Sequence, residues 1–261
     1  MQRRAGWSRE QLLIAFHLYC QMPFGKMHRG NADIIRFATL IGRTPSALAM
    51  KLTNIASLDP AITGTGRKGL DGASKADQEM WDEMQKDWVH FVLEAQHALD
   101  RLEGRASNDN IADAALLTES DNYDGEEKVV ATKVRVGQSF FRRAVLSAYE
   151  YRCCISGLTV PQFLIASHIV PWRTDAKNRL NPHNGLCLSV LHDRAFDSGL
   201  ISITDDMTIQ ISPKMKAYDD AFLQESISKF RGRPIHMPEK FLPSKDFLAF
   251  HRKTIFQGEA E

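Results

Sequence analysis

The sequence has few cysteines, no long apolar run and almost no net charge. Four cysteines stand in 261 residues, and the adjacent pair Cys153 and Cys154 is poorly placed for a mutual disulfide, so reduced thiols are expected. No stretch approaches the roughly 18 consecutive apolar residues of a membrane span, and the first residues lack the apolar core of a signal peptide. These absences predict a cytoplasmic protein of one or two domains with no membrane partner.

The net charge of +1 conceals a segregation of charge along the chain. Residues 1–70 hold ten Lys and Arg against three Asp and Glu, and residues 129–261 hold eighteen against thirteen. Residues 71–128 hold five bases against sixteen acids. Two basic ends joined by an acidic middle indicate two surfaces that attract a polyanion, although ordinary solvated helix faces would give a similar count.

The basic N-terminal segment has the pattern of a helical domain. Ser8 followed by Gln11 forms a capping-box signature ahead of an apolar run with helical spacing. Two further helices are predicted on either side of Gly42, the second beginning with Thr44 as N-cap and Pro45 in its first turn. This outline predicts a helix-turn-helix-like unit, which is common both in DNA-binding proteins and in proteins that never touch DNA.

The acidic middle divides into a helix and a connector. One long amphipathic helix is predicted from about Ser74 to Leu102, and residues 104–128 are acidic, aperiodic and poor in aromatics, as in a flexible linker. The chain therefore divides into a helical domain over 1–103, a linker over 104–128 and a second domain over 129–261. The apolar stripe of the long helix indicates packing against another domain or a second copy of the chain: Trp81, Met84, Trp88, Phe91, Val92, Ala95 and Leu99.

Within the C-terminal segment, "FLIASHIVPW" has the pattern of a strand, and "NGLCLSVLHDRAF" runs from an Asn-Gly turn through an apolar stretch into a short helix. This arrangement would bring together His168, Asn184 and His192. Hydrolysis of a phosphodiester needs a base for the attacking water and a cation for the developing charge. His168 is the candidate base and His192 the candidate metal ligand, with Asn184 tying the loop to the helix.

Those residues resemble the HNH endonucleases, in particular their restriction-type group. The similarity runs from "KVRVGQSFFRRAVLSAYEYRCCISG" to "FLAFHRKTIF". It implies an α+β protein in which an N-terminal all-helical, helix-turn-helix-like domain precedes a C-terminal ββα-metal nuclease domain. It also implies a divalent cation, Mg²⁺ in the first place with Mn²⁺ or others able to substitute, and roles in the active site for His168, Asn184 and His192.

The sequence departs from the family pattern at the expected metal ligand before the base. That position holds Ser167, a neutral donor, so either Ser167 binds the cation or a carboxylate such as Asp193 or Asp197 contributes. A second departure concerns the zinc-binding cysteine pairs of many relatives. Only Cys154 stands at such a position, and since structural zinc needs four ligands, no structural zinc is expected.

The resemblance implies hydrolysis of double-stranded DNA by a restriction or phage-defence enzyme acting as a homodimer, with a requirement for modified bases left open. A homing or repair-type nickase would share the site without dimerising. A non-catalytic DNA-binding regulator with a degenerate nuclease core is the alternative from another class, and Ser167 is its main support. The basic residues expected to contact DNA phosphates are Arg43, Lys51, Arg142, Arg143, Arg173 and Arg179.

Overall fold

The structure is a computed structural model that describes residues 6–64, 72–104, 126–218 and 220–258, without the side chains of residues 126–133. Its chain forms two compact units. The first comprises Met1–Arg143 and Ala176–Leu180, and the second comprises Ala144–Asp175 and Asn181–Glu261. Most of the predicted linker, residues 105–125, lies outside the described residues. The boundary between the units falls inside a long helix, at Arg143, rather than at the predicted residue 129.

The first unit is helical, as predicted. The capping box of Ser8 and Gln11 is confirmed, and so are Thr44 as N-cap and Pro45 at the start of the helix that follows. Gly42 has a positive φ of 66° in the turn before it, a conformation that glycine adopts without strain. The helices are α1 Arg9–Gln21, α2 Ala32–Leu40, α3 Pro45–Ala56, α4 Pro60–Thr63, α5 Lys75–Lys86, α6 Trp88–Leu102 and α7 Glu126–Ala148.

The long helix predicted from Ser74 to Leu102 is wrong in one respect, because the structure breaks it at Asp87. This residue leaves the helical conformation, with φ −147° and ψ 87°, and its carboxylate accepts a hydrogen bond from the backbone N–H of His90. Asp87 thus ends α5 and caps α6. Its side chain bonds to the local backbone, and this bond competes with continuation of the helix. The apolar stripe of both helices is buried inside the unit, where α6 packs against α1.

A buried histidine in this unit should make its stability depend on pH. His17 on α1 lies beside the ring of Phe140, and its Nδ1 has no hydrogen-bond partner. Burial, helped by the charge of Arg143, lowers the pKa of His17 to about 3. Because the unfolded pKa of His is roughly 6.5, the neutral form stabilises the folded chain above that pH, and this stability is lost as the pH falls toward about 3.

We therefore expect His17→Phe to flatten the fall in the free energy of unfolding between about pH 6 and about pH 4. The difference in slope should be at most roughly 1.4 kcal/mol per pH unit. Urea unfolding at matched pH values measures it, with the exposed His28→Phe as control. Parallel pH curves for the wild-type chain and His17→Phe would contradict the prediction.

Among its described residues, the second unit contains two small antiparallel sheets and three α-helices beyond the end of α7, besides short 3-10 turns. The strand predicted within "FLIASHIVPW" is confirmed. In the first sheet, β1 (Leu164–His168) pairs with β2 (Gly185–Ser189), and α8 (Val190–Asp197) follows directly and packs on both strands. The remaining elements are β3 Ile201–Ile203, β4 Ile209–Ile211, α9 Ala221–Ser226 and α10 Lys245–Thr254.

Ser189 marks the change from strand to helix, because its hydroxyl accepts a hydrogen bond from the backbone N–H of His192 and so caps α8. This ββα order places the end of β1 and one face of α8 on the same side of the unit. Among the described residues, no helix combines the length and apolar character needed to cross a membrane.

Candidate functional site

Asn184 joins the end of one strand to the start of the next. Its side-chain oxygen accepts a hydrogen bond from the backbone N–H of Val170 at 2.8 Å, and its side-chain nitrogen donates to the carbonyl of Val170 at 3.1 Å. The carbonyl of Asn184 also accepts from Ile169 at 2.9 Å. Asn184 is buried and fixes the chain just beyond His168. The side chain therefore ties the exit of the first strand to the second strand, and the predicted tie between loop and helix stays a prediction.

His168 ends β1 and lines an open cleft of about 490 Å³. Its ring stands edge-on to Trp172, with centroids 5.5 Å apart, and is partly exposed to solvent. The cleft is also lined by Ser167, Asp193 and Asp197. The structure thus brings a partly exposed imidazole and two carboxylates to one place.

Asp193 and Asp197 lie one helical turn apart on α8. Burial raises the pKa of both carboxyl groups, and the negative charge of Asp193 raises that of Asp197 further. Ser167 and the charge of Arg194 partly offset the shift at Asp193. Neighbouring carboxyl groups whose ionised forms are disfavoured by burial, and in Asp197 also by a like charge, are candidates for a site completed by a cation.

The Ser167 hydroxyl is a further oxygen donor in the same cleft. Ser167 is buried and its Oγ has no hydrogen bond of ordinary geometry, although it lies near enough to Asp193 to lower the pKa of that carboxyl. The donors of the cleft are therefore two carboxylates and one hydroxyl. Hard oxygen donors of this kind suit Mg²⁺ and similar cations, so the residues present fit a divalent ion.

His192, the predicted metal ligand, does not line this cleft. It is buried; its Nδ1 lies 2.9 Å from the Ser189 hydroxyl and its Nε2 lies 2.8 Å from the carbonyl of Ser226. Nε2 must donate to that carbonyl, and Nδ1 faces the Ser189 hydroxyl and the Cys153 thiol, the latter 3.5 Å away. Both ring nitrogens thus have protein partners, and the geometry disfavours the ligand role predicted for His192.

Three of the four cysteines lie close to one another in the second unit. Cys153, Cys154 and Cys187 are free and buried, and the backbone N–H of Cys154 donates to the carbonyl of Cys187 at 2.7 Å. Burial raises the pKa of the Cys153 thiol, but hydrogen bonds with His192 and Ser156 outweigh burial and bring that pKa to about 6. These cysteines pack the core of the unit, and the expected lack of a structural zinc stays a prediction.

The predicted DNA-contacting residues fall into three groups by exposure to solvent. Lys51 is buried in an ion pair with Asp77, with Nζ to carboxylate distances of 2.7 and 2.8 Å, and Arg179 is buried as well. For these two the prediction is contradicted, because a buried cation cannot reach a phosphate. Arg43 is partly buried: its guanidinium hydrogen-bonds Gln11 and the carbonyl of Gly6 and lies 5.0 Å from the centre of the Trp7 ring. The exposed members are Arg142, Arg143 and Arg173.

One cleft residue was missed from the sequence. His251 on α10 lines the cleft, stacks on Phe196 with centroids 3.7 Å apart, and has its ring nitrogens 2.9 Å from the Ser202 hydroxyl and 3.1 Å from the carbonyl of Phe196. Burial lowers the pKa of His251 to about 4. The neutral imidazole of His251, with contacts at both ring nitrogens, connects α10 to α8 through Phe196 and to β3 through Ser202. No local motif around His251 could have indicated this, since its partners are about 50 residues away in the sequence.

The HNH endonuclease family matches residues 153–204, which include β1, β2 and α8. No curated protein matches the chain. Among solved structures, a modification-dependent TagI restriction endonuclease aligns with 19% sequence identity and a TM-score of 0.34, over 44% of this chain and 37% of that one. The chain thus spans well under half the length of that protein. Residues 153–204 therefore carry the sequence pattern of an HNH endonuclease domain.

Proposed function

We propose, with the HNH endonuclease domain of residues 153–204 as the premise, that this chain hydrolyses phosphodiester bonds of double-stranded DNA and needs a divalent cation, in the first place Mg²⁺. The observation that carries the proposal is the cleft lined by His168, Asp193, Asp197 and Ser167. An imidazole base next to oxygen donors for a hard cation is the combination that phosphodiester hydrolysis requires.

His168 is the general base of this proposal. Its partly exposed ring can accept a proton from a water molecule in the cleft, while the edge of Trp172 restricts the rotation of the imidazole. Asn184 is a positioning residue, because its two hydrogen bonds to Val170 fix the backbone two residues beyond His168. A base held in place by its backbone needs little reorganisation when substrate binds.

Asp193 and Asp197 would hold the cation, with Ser167 as a third oxygen donor. A divalent ion bound there would neutralise charge on the phosphate and on the leaving oxygen. The two carboxylates supply the negative charge that Ser167 lacks, which favours a catalytic core over a degenerate one. His192 contributes in another way, since its bonds to Ser189 and Ser226 hold the start of α8 in position.

We expect Asp193→Asn and Asp197→Asn to weaken Mn²⁺ binding by at least the roughly 10- to 100-fold found when partners of metal ligands are removed. His192→Gln should keep the Mn²⁺ affinity and lower the unfolding temperature, because it removes buried hydrogen bonds rather than a ligand. Titration of Mn²⁺ monitored by electron paramagnetic resonance measures the affinity. Asp206→Asn, exposed in the turn between β3 and β4, is the control. Equal losses of Mn²⁺ affinity in His192→Gln and Asp193→Asn would make His192 a ligand.

A restriction role follows if the helical unit selects the DNA and the HNH unit cuts it. One HNH site cuts one strand at a time, so a homodimer would supply the second site for a double-strand break. Incubating the protein with unmodified, cytosine-modified or adenine-modified plasmid tests whether cleavage depends on modified bases. Linear product from a dimeric protein supports the restriction role, whereas nicked circles from a monomer support the nickase.

A further inference from the structure

A second concave surface lies in the same unit, outside the HNH match. Two adjoining depressions of about 380 and 280 Å³ share Lys216 and Arg231. The first is also lined by Lys229 and Glu225, and the second reaches Phe256. We call the two together the basic groove. Its residues belong to the segment from 210 to 231 and to the chain just beyond α10, none of which is part of the HNH motif.

The charge of the basic groove is positive. Lys216, Lys229 and Arg231 are exposed, and Glu225 on α9 is the acidic residue among the lining side chains, 3.5 Å from Lys229. Arg231 is oriented by a hydrogen bond from its Nη1 to the carbonyl of Ile211 at 2.8 Å. Three cations around a concave surface concentrate positive potential and attract a polyanion.

Exposed aromatic side chains occur on the elements that form the basic groove. Tyr218, two residues after Lys216, is 53% exposed, and Phe222 on α9 is 66% exposed. The Nζ of Lys229 lies 5.4 Å from the centre of the Phe230 ring. Cations that follow a backbone, together with aromatic faces on which bases can stack, are the combination found in nucleic-acid grooves. An acidic peptide would not need the exposed rings.

The wall of the basic groove is attached to the motif helix. The carbonyl of Ser226, at the end of α9, accepts the hydrogen bond from His192 on α8, and the Phe230 ring stands edge-on to His192 with centroids 5.6 Å apart. The segment that carries Glu225 and Lys229 is therefore docked on the helix that carries Asp193. A strand held in the basic groove would have a fixed relation to the cleft.

From these observations we infer that the basic groove binds the sugar–phosphate backbone of the DNA substrate beside the bond that is cut. The inference rests on the proposed function, because it takes DNA as the substrate. In this role Lys216 and Lys229 neutralise phosphates, Arg231 is held in place by β4, and Phe222 offers a surface for an unpaired base.

The test measures binding of the full-length chain to a fluorescein-labelled DNA duplex by anisotropy, in EDTA so that no cleavage occurs, over a range of salt concentrations. Lys216→Gln and Lys229→Gln should each weaken binding at low salt, and each should reduce the slope of log K against log salt by about 0.9. Lys245→Gln is the matched control. This exposed lysine begins α10, roughly 15 Å along the helix from the end that leads to Phe256.

Two further variants sharpen the result. Glu225→Gln should tighten binding at low salt, because it removes the negative charge from the same groove. Phe222→Ala should weaken binding to single-stranded DNA without changing the salt slope, since stacking releases no counterions. Salt slopes for Lys216→Gln and Lys229→Gln equal to that of Lys245→Gln would overturn the inference.

Failure of the basic groove is distinguishable from failure of the proposed function. If the groove variants bind DNA as the wild-type chain does and the wild-type chain still cuts DNA in Mg²⁺, the inference is wrong and the nuclease proposal stands. If the wild-type chain neither binds nor cuts DNA, both are wrong.

Discussion

His168→Ala is expected to lower the rate of DNA cleavage by about 10²- to 10⁴-fold while DNA affinity stays within about twofold. The loss is confined to the chemical step because His168 stands at the end of β1 on the wall of the cleft and its backbone is fixed by pairing with Gly185. Removing the ring takes away a proton acceptor, whereas the charges that attract the polyanion remain.

Single-turnover nicking of supercoiled plasmid measures the cleavage rate, and anisotropy with labelled duplex measures the affinity. His236→Ala, an exposed histidine of the same unit, should cut at the wild-type rate and is the matched control. Parallel losses of binding and cutting in His168→Ala would mean that this residue binds DNA rather than activating water. Unchanged cutting would remove His168 from the chemistry.

The second large effect concerns Lys51, whose ammonium is buried rather than presented to DNA. Its side chain is 7% exposed and that of Asp77 is 0% exposed, so Lys51→Met leaves a carboxylate uncompensated in the interior. Breaking a buried pair in this way costs roughly 3–5 kcal/mol of the free energy of unfolding. The hydrogen bonds that Asp77 accepts from Ser74 soften this loss, which places the expected value near the lower end of that range.

Urea unfolding measures the loss, and two variants serve as comparisons. Lys75→Met breaks a surface pair with Glu79, in which the lysine is 91% exposed, and should cost less than about 1 kcal/mol. The double variant Lys51→Met with Asp77→Asn should recover much of the stability, because the orphaned charge is gone while the amide oxygen can still accept from Ser74. Unchanged stability of Lys51→Met combined with weaker DNA binding would restore the original prediction for this residue.

Local signals predicted the parts of the fold that local bonds decide. The capping box at Ser8 and the start of α3 at Thr44 and Pro45 depend on neighbours within a few residues. The strand β1 was predicted from its own composition, although its partners in β2 lie 17 to 25 residues further along the chain. The break at Asp87 was missed because the apolar stripe continues through it. Helical spacing is preserved across the break, so periodicity alone could not reveal a cap in the middle of the pattern.

The residues that line the cleft were harder to predict. A motif specifies the order of residues along the chain, whereas the geometry of the helix determines which of them share a face. His192 and Asp193 are adjacent in the sequence, but consecutive helical residues point about 100° apart. Only the position of α8 against β1 and β2 determines that the side chain of Asp193 lines the cleft and that of His192 turns to Ser226. The spacing of Asp193 and Asp197, four residues apart, was the one available signal that both carboxylates share a face.

Burial of charge was likewise invisible in the sequence. Lys51 and Asp77 are 26 residues apart, and nothing local distinguishes a lysine that meets an acid in the core from one that faces solvent. The same holds for Arg179. Counting bases therefore could not distinguish an exposed cation from a buried one.

The unit boundary at Arg143 has a practical consequence for gene fusions and hybrid nucleases. Leu180 packs so closely on α7 that a Cβ built on Gly137 would come within 2.9 Å of it, and Ala176–Leu180 belongs to the first unit although it lies between the two strands of the HNH motif. The polypeptide thus passes from one unit to the other three times. A hybrid joined at residue 129 would separate these interdependent segments, so an exchange of the first unit should carry residues 176–180 together with the helices that hold them.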